Sequence, residues 1–218
     1  MTDKSFQTDV FAARREAMVS NQLRTTAVND PVVVAAMRMV PRERFVPADQ
    51  VALAYLDRSV PLGRGRALNP PMATGRLLTE AHPQPGERAL VVGAGGGYAA
   101  ALLAEIGLDV VALETDASFL AGLRGLRNVE IVEGPLGQGW AAGAPYDLIL
   151  VDGALPEAPE ALIAQLAEGG RLAFGLIDNG VTRLAIGRRA GGGFGCKAFA
   201  DADAVTLPGF GKPPVFSF

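Results

Sequence analysis

Apolar positions follow two kinds of pattern along the chain. Between residues 86 and 177, short runs rich in Val, Ile and Leu alternate with stretches of helical spacing. The runs are Arg88–Val92, Val110–Glu114, Val129–Glu133, Tyr146–Val151 and Arg171–Ile177, and Tyr98–Glu105, Ser118–Arg124 and Pro159–Ala167 lie between them. Near-continuous apolar strands separated by helices predict an α/β fold with a doubly wound, mostly parallel, Rossmann-like sheet. Residues before about 80 read as helical and then irregular. Asp9 is a candidate cap for a helix to about Leu23, with Val10, Ala13 and Ala17 on one side. Asp30-Pro31 supplies an N-cap and an N1 proline for a second helix through Met37. Pro41, Pro47, Pro61, Pro70 and Pro71 make the rest of this zone mostly non-helical.

After residue 177, Gly191-Gly192-Gly193 between Leu184–Arg189 and Phe194–Ala200 predicts a hairpin, and the Phe216/Phe218 alternation suggests one last strand. The expected organisation is one domain over residues 1–218: an N-terminal helical cap with a Pro- and Gly-rich active loop (1–80), an α/β core (86–177) and a C-terminal hairpin extension (178–218). A structureless stretch of about forty residues beside a regular core is more often functional than idle. The loop Gly63–Met72 is therefore expected to fold over a pocket at the C-terminal ends of the strands, where open α/β sheets place ligands.

Composition narrows the function classes. With 218 residues, 49% of them hydrophobic, the chain has enough apolar side chain for a substantial core. No apolar run approaches the ~18–20 residues of a membrane span, and Met1–Asp9 is charged with no apolar stretch after it, so no membrane association, no signal peptide and a cytoplasmic location are expected. One cysteine, Cys196, cannot form an intramolecular disulfide. One histidine, His82, leaves no Cys/His set for zinc and makes hydrolase schemes that need a partnered histidine improbable. Net charge is −3 from 20 basic and 23 acidic residues, and the basic ones are scattered. That distribution argues against nucleic acid as a partner. Arg64 and Arg66 read as solvated loop charges that remain available to a small anionic substrate.

The most informative chemistry is Val91-Val92-Gly93-Ala94-Gly95-Gly96-Gly97-Tyr98, a glycine-rich turn leaving the first core strand and entering a helix. Glycines let the backbone turn tightly and approach a ligand that a Cβ would block. The next strand ends in Glu114, 21 residues after Gly93, where a carboxylate can accept both hydroxyls of a ribose. Position 98 is Tyr rather than the third spaced glycine of a dinucleotide fingerprint, so a nucleoside cofactor is favoured and S-adenosylmethionine is the natural candidate.

Beyond the glycine turn, the sequence resembles the protein-L-isoaspartate O-methyltransferases, which repair age-damaged proteins with S-adenosylmethionine. The residues that carry the likeness are Met18–Leu23, Val40-Pro41-Arg42-Glu43-Arg44-Phe45-Val46-Pro47, Ala54–Asp57, Val60–Gly63, the glycine turn with Tyr98, Gly139-Trp140, Tyr146–Val151 and Gln165-Leu166. The resemblance implies a methyltransferase core that binds S-adenosylmethionine through Gly93, Gly95, Gly97, Tyr98, Glu114, Pro135, Leu136 and Asp152, without a metal. It implies a substrate site at Tyr55, Asp57, Leu62, Gly63 and Pro71, with isoaspartyl-containing proteins or peptides as partners, and a reacting carboxylate oriented by Asn69.

Some positions depart from the family pattern. Val91 stands where an acid is usual, Gly134-Pro135-Leu136 replaces Gly-Asp-Gly, and Ala67-Leu68-Asn69-Pro70-Pro71 replaces Thr-Ile-Ser-Gln-Pro. Two alternatives therefore stay open: a catalytically eroded paralogue acting as a binding protein, and amino-group methylation, to which Asn69-Pro70-Pro71 has a partial likeness.

Overall fold

The computed structural model describes residues 3–116, 118–119 and 123–210. Helix α1 (Asp3–Ala17) runs into a π-helical turn, Met18–Leu23, and a short 3-10 turn before Ala27 adopts the left-handed conformation. The first helix thus reaches Leu23 as expected but begins before Asp9, which lies inside it. Helix α2 (Pro31–Met39) starts as its sequence dictates: the Asp30 carboxylate accepts from Val32 N at 2.9 Å and Val33 N at 3.2 Å, and Pro31 occupies the first helical position.

The reading of the proline-rich zone needs a correction. Val60–Gly63 (β1) and Arg66–Leu68 (β2) form a small antiparallel hairpin, and Pro71–Ala81 is an eleven-residue helix, α3. Pro71 does not break this helix. It sits at the N1 position, where no intrahelical N–H is needed, and Ala73, Leu77, Leu78 and Ala81 form its buried face.

The core strands are β3 (Arg88–Val92), β4 (Asp109–Glu114), β5 (Val129–Glu133), β6 (Tyr146–Leu155) and β7 (Leu166–Asp178), followed by β8 (Val181–Ala190) and β9 (Gly193–Asp201). They form one seven-stranded sheet in the order β5-β4-β3-β6-β7-β8-β9, parallel up to β7 and antiparallel beyond it. The expected hairpin is β8–β9, turning at Gly191 and Gly192 with φ of 59° and 78°. Strand order reverses at β3: β4 lies on one side and β6 on the other, which makes the C-terminal ends of these strands the switch-point crevice.

Alternate residues of β3 feed two cores. Ala89 and Val91 join one cluster with Leu102, Leu148 and Leu150; Leu90 and Val92 join the other with Leu113, Ile149 and Leu172. Helix α4 (Tyr98–Ile106) covers the first face. The helix expected over Pro159–Ala167 shrinks to α5 (Glu160–Ile163), because Leu166 pairs with Tyr146 and the chain is already strand there. At Ser118–Arg124, Ser118, Phe119 and Leu123 carry 3-10 geometry, while residues 117 and 120–122 lie outside the described residues, as do Phe216 and Phe218. Among the described residues no helix is long and apolar enough to cross a membrane, and no group of His, Cys, Asp or Glu could hold a metal ion.

After β9 the chain returns across the sheet. Val205 O accepts from Ala154 N at 2.7 Å, Leu207 N donates to Ala154 O at 3.1 Å, and Thr206 bridges Ala154 in parallel fashion. Residues 203–207 therefore cap the C-terminal end of β6.

Candidate active site

The glycine turn follows β3 directly. Gly93, Gly96 and Gly97 have φ of 74°, 75° and 92°, conformations that side chains resist, and Gly97 is the N-cap of α4. Space is tight as well as the backbone: a Cβ on Gly96 would sit 2.8 Å from Phe45 O and 3.4 Å from Leu62. Tyr98 enters α4 with its ring turned into the core, 5.7 Å from Phe45, under the Arg42 guanidinium at 4.7 Å. Burial pushes its hydroxyl up to about 12. Tyr98, expected at the cofactor, thus has its side chain buried against Phe45 and Arg42.

Glu114 ends β4 and is wholly buried. Its Oε1 accepts from Arg66 Nη1 at 2.7 Å and from Thr115 N at 2.9 Å, while Oε2 is buried with no partner among the described residues. Arg66 also donates to Gly93 O at 3.1 Å. Here the sequence reading is corrected: Arg66 is not a solvated loop charge but a buried one, only 6% exposed. Arg64 behaves as expected, exposed and paired with Asp116 at 2.8 Å.

Asn69 and Asp152 meet at the other end of the crevice. The register of β6 against β7 shifts between Leu150 and Ala154, so Asp152 stands out of the ladder at the strand end. Asn69 Nδ2 donates to Asp152 Oδ1 at 2.7 Å, and its Oδ1 accepts from Val205 N at 2.8 Å. Burial raises the Asp152 carboxyl above its ordinary range, against the lowering effect of Asn69, Arg42 and Arg66. Arg42, also buried, donates to Ala54 O and Asn69 O, and desolvation lowers its pKa. The carboxamide of Asn69 is thus engaged on both sides by the chain itself.

The remaining predicted residues divide. Leu136 is buried in the second core behind Pro135, whose φ of −65° leads into the turn Leu136–Gln138, and Gly134 N donates to Glu114 O at 3.0 Å. The Gly134–Leu136 segment therefore adjoins Glu114. Asp57 accepts from Met72 N at 3.0 Å and lines a cavity of about 560 Å³ together with Arg58, Pro70, Met72, Asp203 and Val205. Pro71, buried, starts α3 beside that cavity, and Gly63 ends β1 in an exposed turn. Tyr55 is drawn elsewhere: its hydroxyl bonds Glu43 and accepts from Arg15 Nη1 at 3.1 Å, and burial raises its pKa. Arg42, Val205 and Leu207 were not legible as site residues, and Arg66 was legible only as a loop charge, not as the buried partner of Glu114. Only the placement of Arg42 within Val40–Pro47 hinted at a special position.

A parallel sheet whose glycine turn and strand-end acid flank its switch point defines the class: an α/β protein of the methyltransferase fold with a candidate nucleoside site. The chain belongs to the protein-L-isoaspartate(D-aspartate) O-methyltransferase family, whose family model matches residues 13–193. It is 40% identical over 208 residues to protein-L-isoaspartate O-methyltransferase 1 of Rhodopseudomonas palustris, covering 91% of this chain and 84% of that protein. Against the protein-L-isoaspartate O-methyltransferase of Methanoculleus marisnigri the identity is 38% over 172 residues, covering 76% and 78%. The fold is similar to that of a protein-L-isoaspartate O-methyltransferase from Plasmodium falciparum, solved with S-adenosyl-L-homocysteine, at a TM-score of 0.77 and 22% identity over 88% of this chain and 97% of that one.

Proposed function

We propose that the chain is an S-adenosylmethionine-dependent carboxyl methyltransferase that esterifies isoaspartyl residues in damaged proteins. The observation that carries this reading is Glu114: a buried strand-end carboxylate with one unpartnered oxygen, facing a glycine turn that admits close approach. These residues fit a nucleoside. Glu114 Oε2 would accept ribose hydroxyls, the Gly93–Gly97 turn would lie along the ligand, and the Gly134–Leu136 segment beside Glu114 would adjoin the base. Bound there, S-adenosylmethionine would supply an activated methyl group.

The chain's own part is positioning. An isoaspartyl carboxylate is ionised at neutral pH, so no general base is demanded, which suits a chain with one histidine, His82, capping α3 with its ring exposed near Asp30. Asn69 and Asp152 mark the end of the crevice nearest the cavity that Asp57, Met72 and Val205 line, where a peptide would enter. Holding carboxylate and methyl in line, with water excluded, accounts for most of the acceleration such a reaction needs. The net charge of −3 and scattered basic residues favour a peptide over a nucleic acid as partner.

The test is transfer of labelled methyl from S-adenosylmethionine to an isoaspartyl peptide, compared with its aspartyl isomer. The reading predicts a base-labile ester on the isoaspartyl peptide alone. Labelling of both isomers equally, or of neither, would overturn it.

A further inference from the structure

Arg66 opens β2, at the end of a tight hairpin, and its side chain is buried where the glycine turn meets Glu114. Three contacts hold it: Glu114 Oε1 at 2.7 Å, Gly93 O at 3.1 Å and the Phe119 ring, whose centroid lies 5.4 Å from the guanidinium carbon. The hollow left by the glycines is the space it takes. A Cβ on Gly93 would fall 3.3 Å from Arg66 Nη2, and one on Gly95 would fall 3.2 Å from it. Leu207 shares this filling, lying 2.8 Å from the Cβ position of Gly93. Neither residue leaves its own polar chemistry complete. Arg66 Nε is buried without a partner, as is Glu114 Oε2.

We propose that Arg66 is an affinity-determining residue of the cofactor site, the resident partner of Glu114 that ribose hydroxyls must displace. The inference rests on the methyltransferase reading above, which assigns Glu114 to the ribose. Glu114 Oε2 is open to a ribose, but the guanidinium on Oε1 fills the hollow beside Gly93 and Gly95 where that ribose would have to sit. Binding is therefore an exchange: Arg66 swings out on its hairpin and the diol takes over Glu114. A charge-assisted pair in a desolvated setting is stronger than hydrogen bonds from neutral hydroxyls, so the exchange holds affinity down. A neutral side chain at position 66 would release that restraint.

The experiment is calorimetric titration of the full chain with S-adenosylhomocysteine, using wild type, Arg66→Gln and, as control, Arg64→Gln, which alters an exposed residue of the same hairpin. Arg66→Gln should bind at least about tenfold tighter than wild type, a difference of about 1.4 kcal/mol, while Arg64→Gln matches wild type. Should the glutamine variant fail to fold, Arg66→Met removes the charge while keeping an unbranched side chain in the hollow, and it should tighten binding in the same direction. Unchanged or weaker binding in the folded variants, with wild type binding measurably, overturns the role of Arg66 and leaves the methyltransferase reading standing. No binding by wild type or either variant at millimolar ligand, with cooperative melting intact, overturns both.

Discussion

Asn69 donates to Asp152 across 2.7 Å, joining the residue pair before α3 to the end of β6, 83 positions away in the chain. The same carboxamide accepts from Val205, so one side chain fastens the active loop, the central sheet and the returning C-terminal segment together. A serine, whose hydroxyl extends less far, cannot span both partners.

Asn69→Ser should therefore destabilise the fold rather than simply re-aim a substrate. Two buried hydrogen bonds lose a partner, one of them to a carboxylate, at a cost of about 2–4 kcal/mol. The melting temperature should fall by about 2–4 °C for each kcal/mol in a chain of this size. An unchanged melting temperature in calorimetry would show that the bridge carries no stability.

Asp152 gives a pH dependence with a definite sign. Burial raises its carboxyl above the ordinary range, so the folded state binds the proton more tightly than the unfolded state. Its contribution is fully present below the unfolded pKa of about 4 and is lost as pH rises through the raised value. Asp152→Asn keeps an acceptor for Asn69 and removes the titration. The melting temperature of wild type minus that of Asp152→Asn should fall as pH increases from about 4 towards 8. A difference that stays flat or rises would contradict the raised carboxyl.

Arg42 is wholly buried, with its guanidinium over the Tyr98 ring and bonded to Ala54 O and Asn69 O, while its Nη1 has no hydrogen-bond partner among the described residues. Lysine has neither the fork nor the planar face, so Arg42→Lys should cost about 2–4 kcal/mol. The urea midpoint reports it, and a midpoint equal to wild type would mean that these contacts are replaceable.

Glu114→Gln should weaken the protein and its ligand site together. Arg66 would remain buried opposite a neutral amide, a loss of about 2–4 kcal/mol in unfolding free energy. The same change removes the charge that makes a ribose contact strong, so S-adenosylhomocysteine should bind less tightly than it does to Arg66→Gln. Equal affinity for the two variants would detach Glu114 from ligand binding.

Much of the fold was written locally. The strands β3 and β5 match their apolar runs residue for residue, and the Asp30 cap and the β8–β9 hairpin follow from residues adjacent in sequence. Helix α3 was hidden because Pro70-Pro71 reads as a breaker until one knows that Pro71 is the N1 residue. The site divides the same way. Gly93–Gly97 and Glu114 were legible, since a turn and a strand end are local features. Burial of Arg66 was not: its partner lies 48 positions away, and only the hairpin's placement over β4 brings them together. Nothing near Val205 or Leu207 in sequence announces that they will cap β6 beside Asn69.

The most direct measurement of the central claim is a crystal structure of the full chain with S-adenosylhomocysteine. The account predicts the nucleoside along Gly93–Gly97, its ribose hydroxyls on Glu114, and Arg66 withdrawn from that carboxylate. A ligand bound elsewhere, or one that leaves the Arg66–Glu114 pair intact, would contradict it.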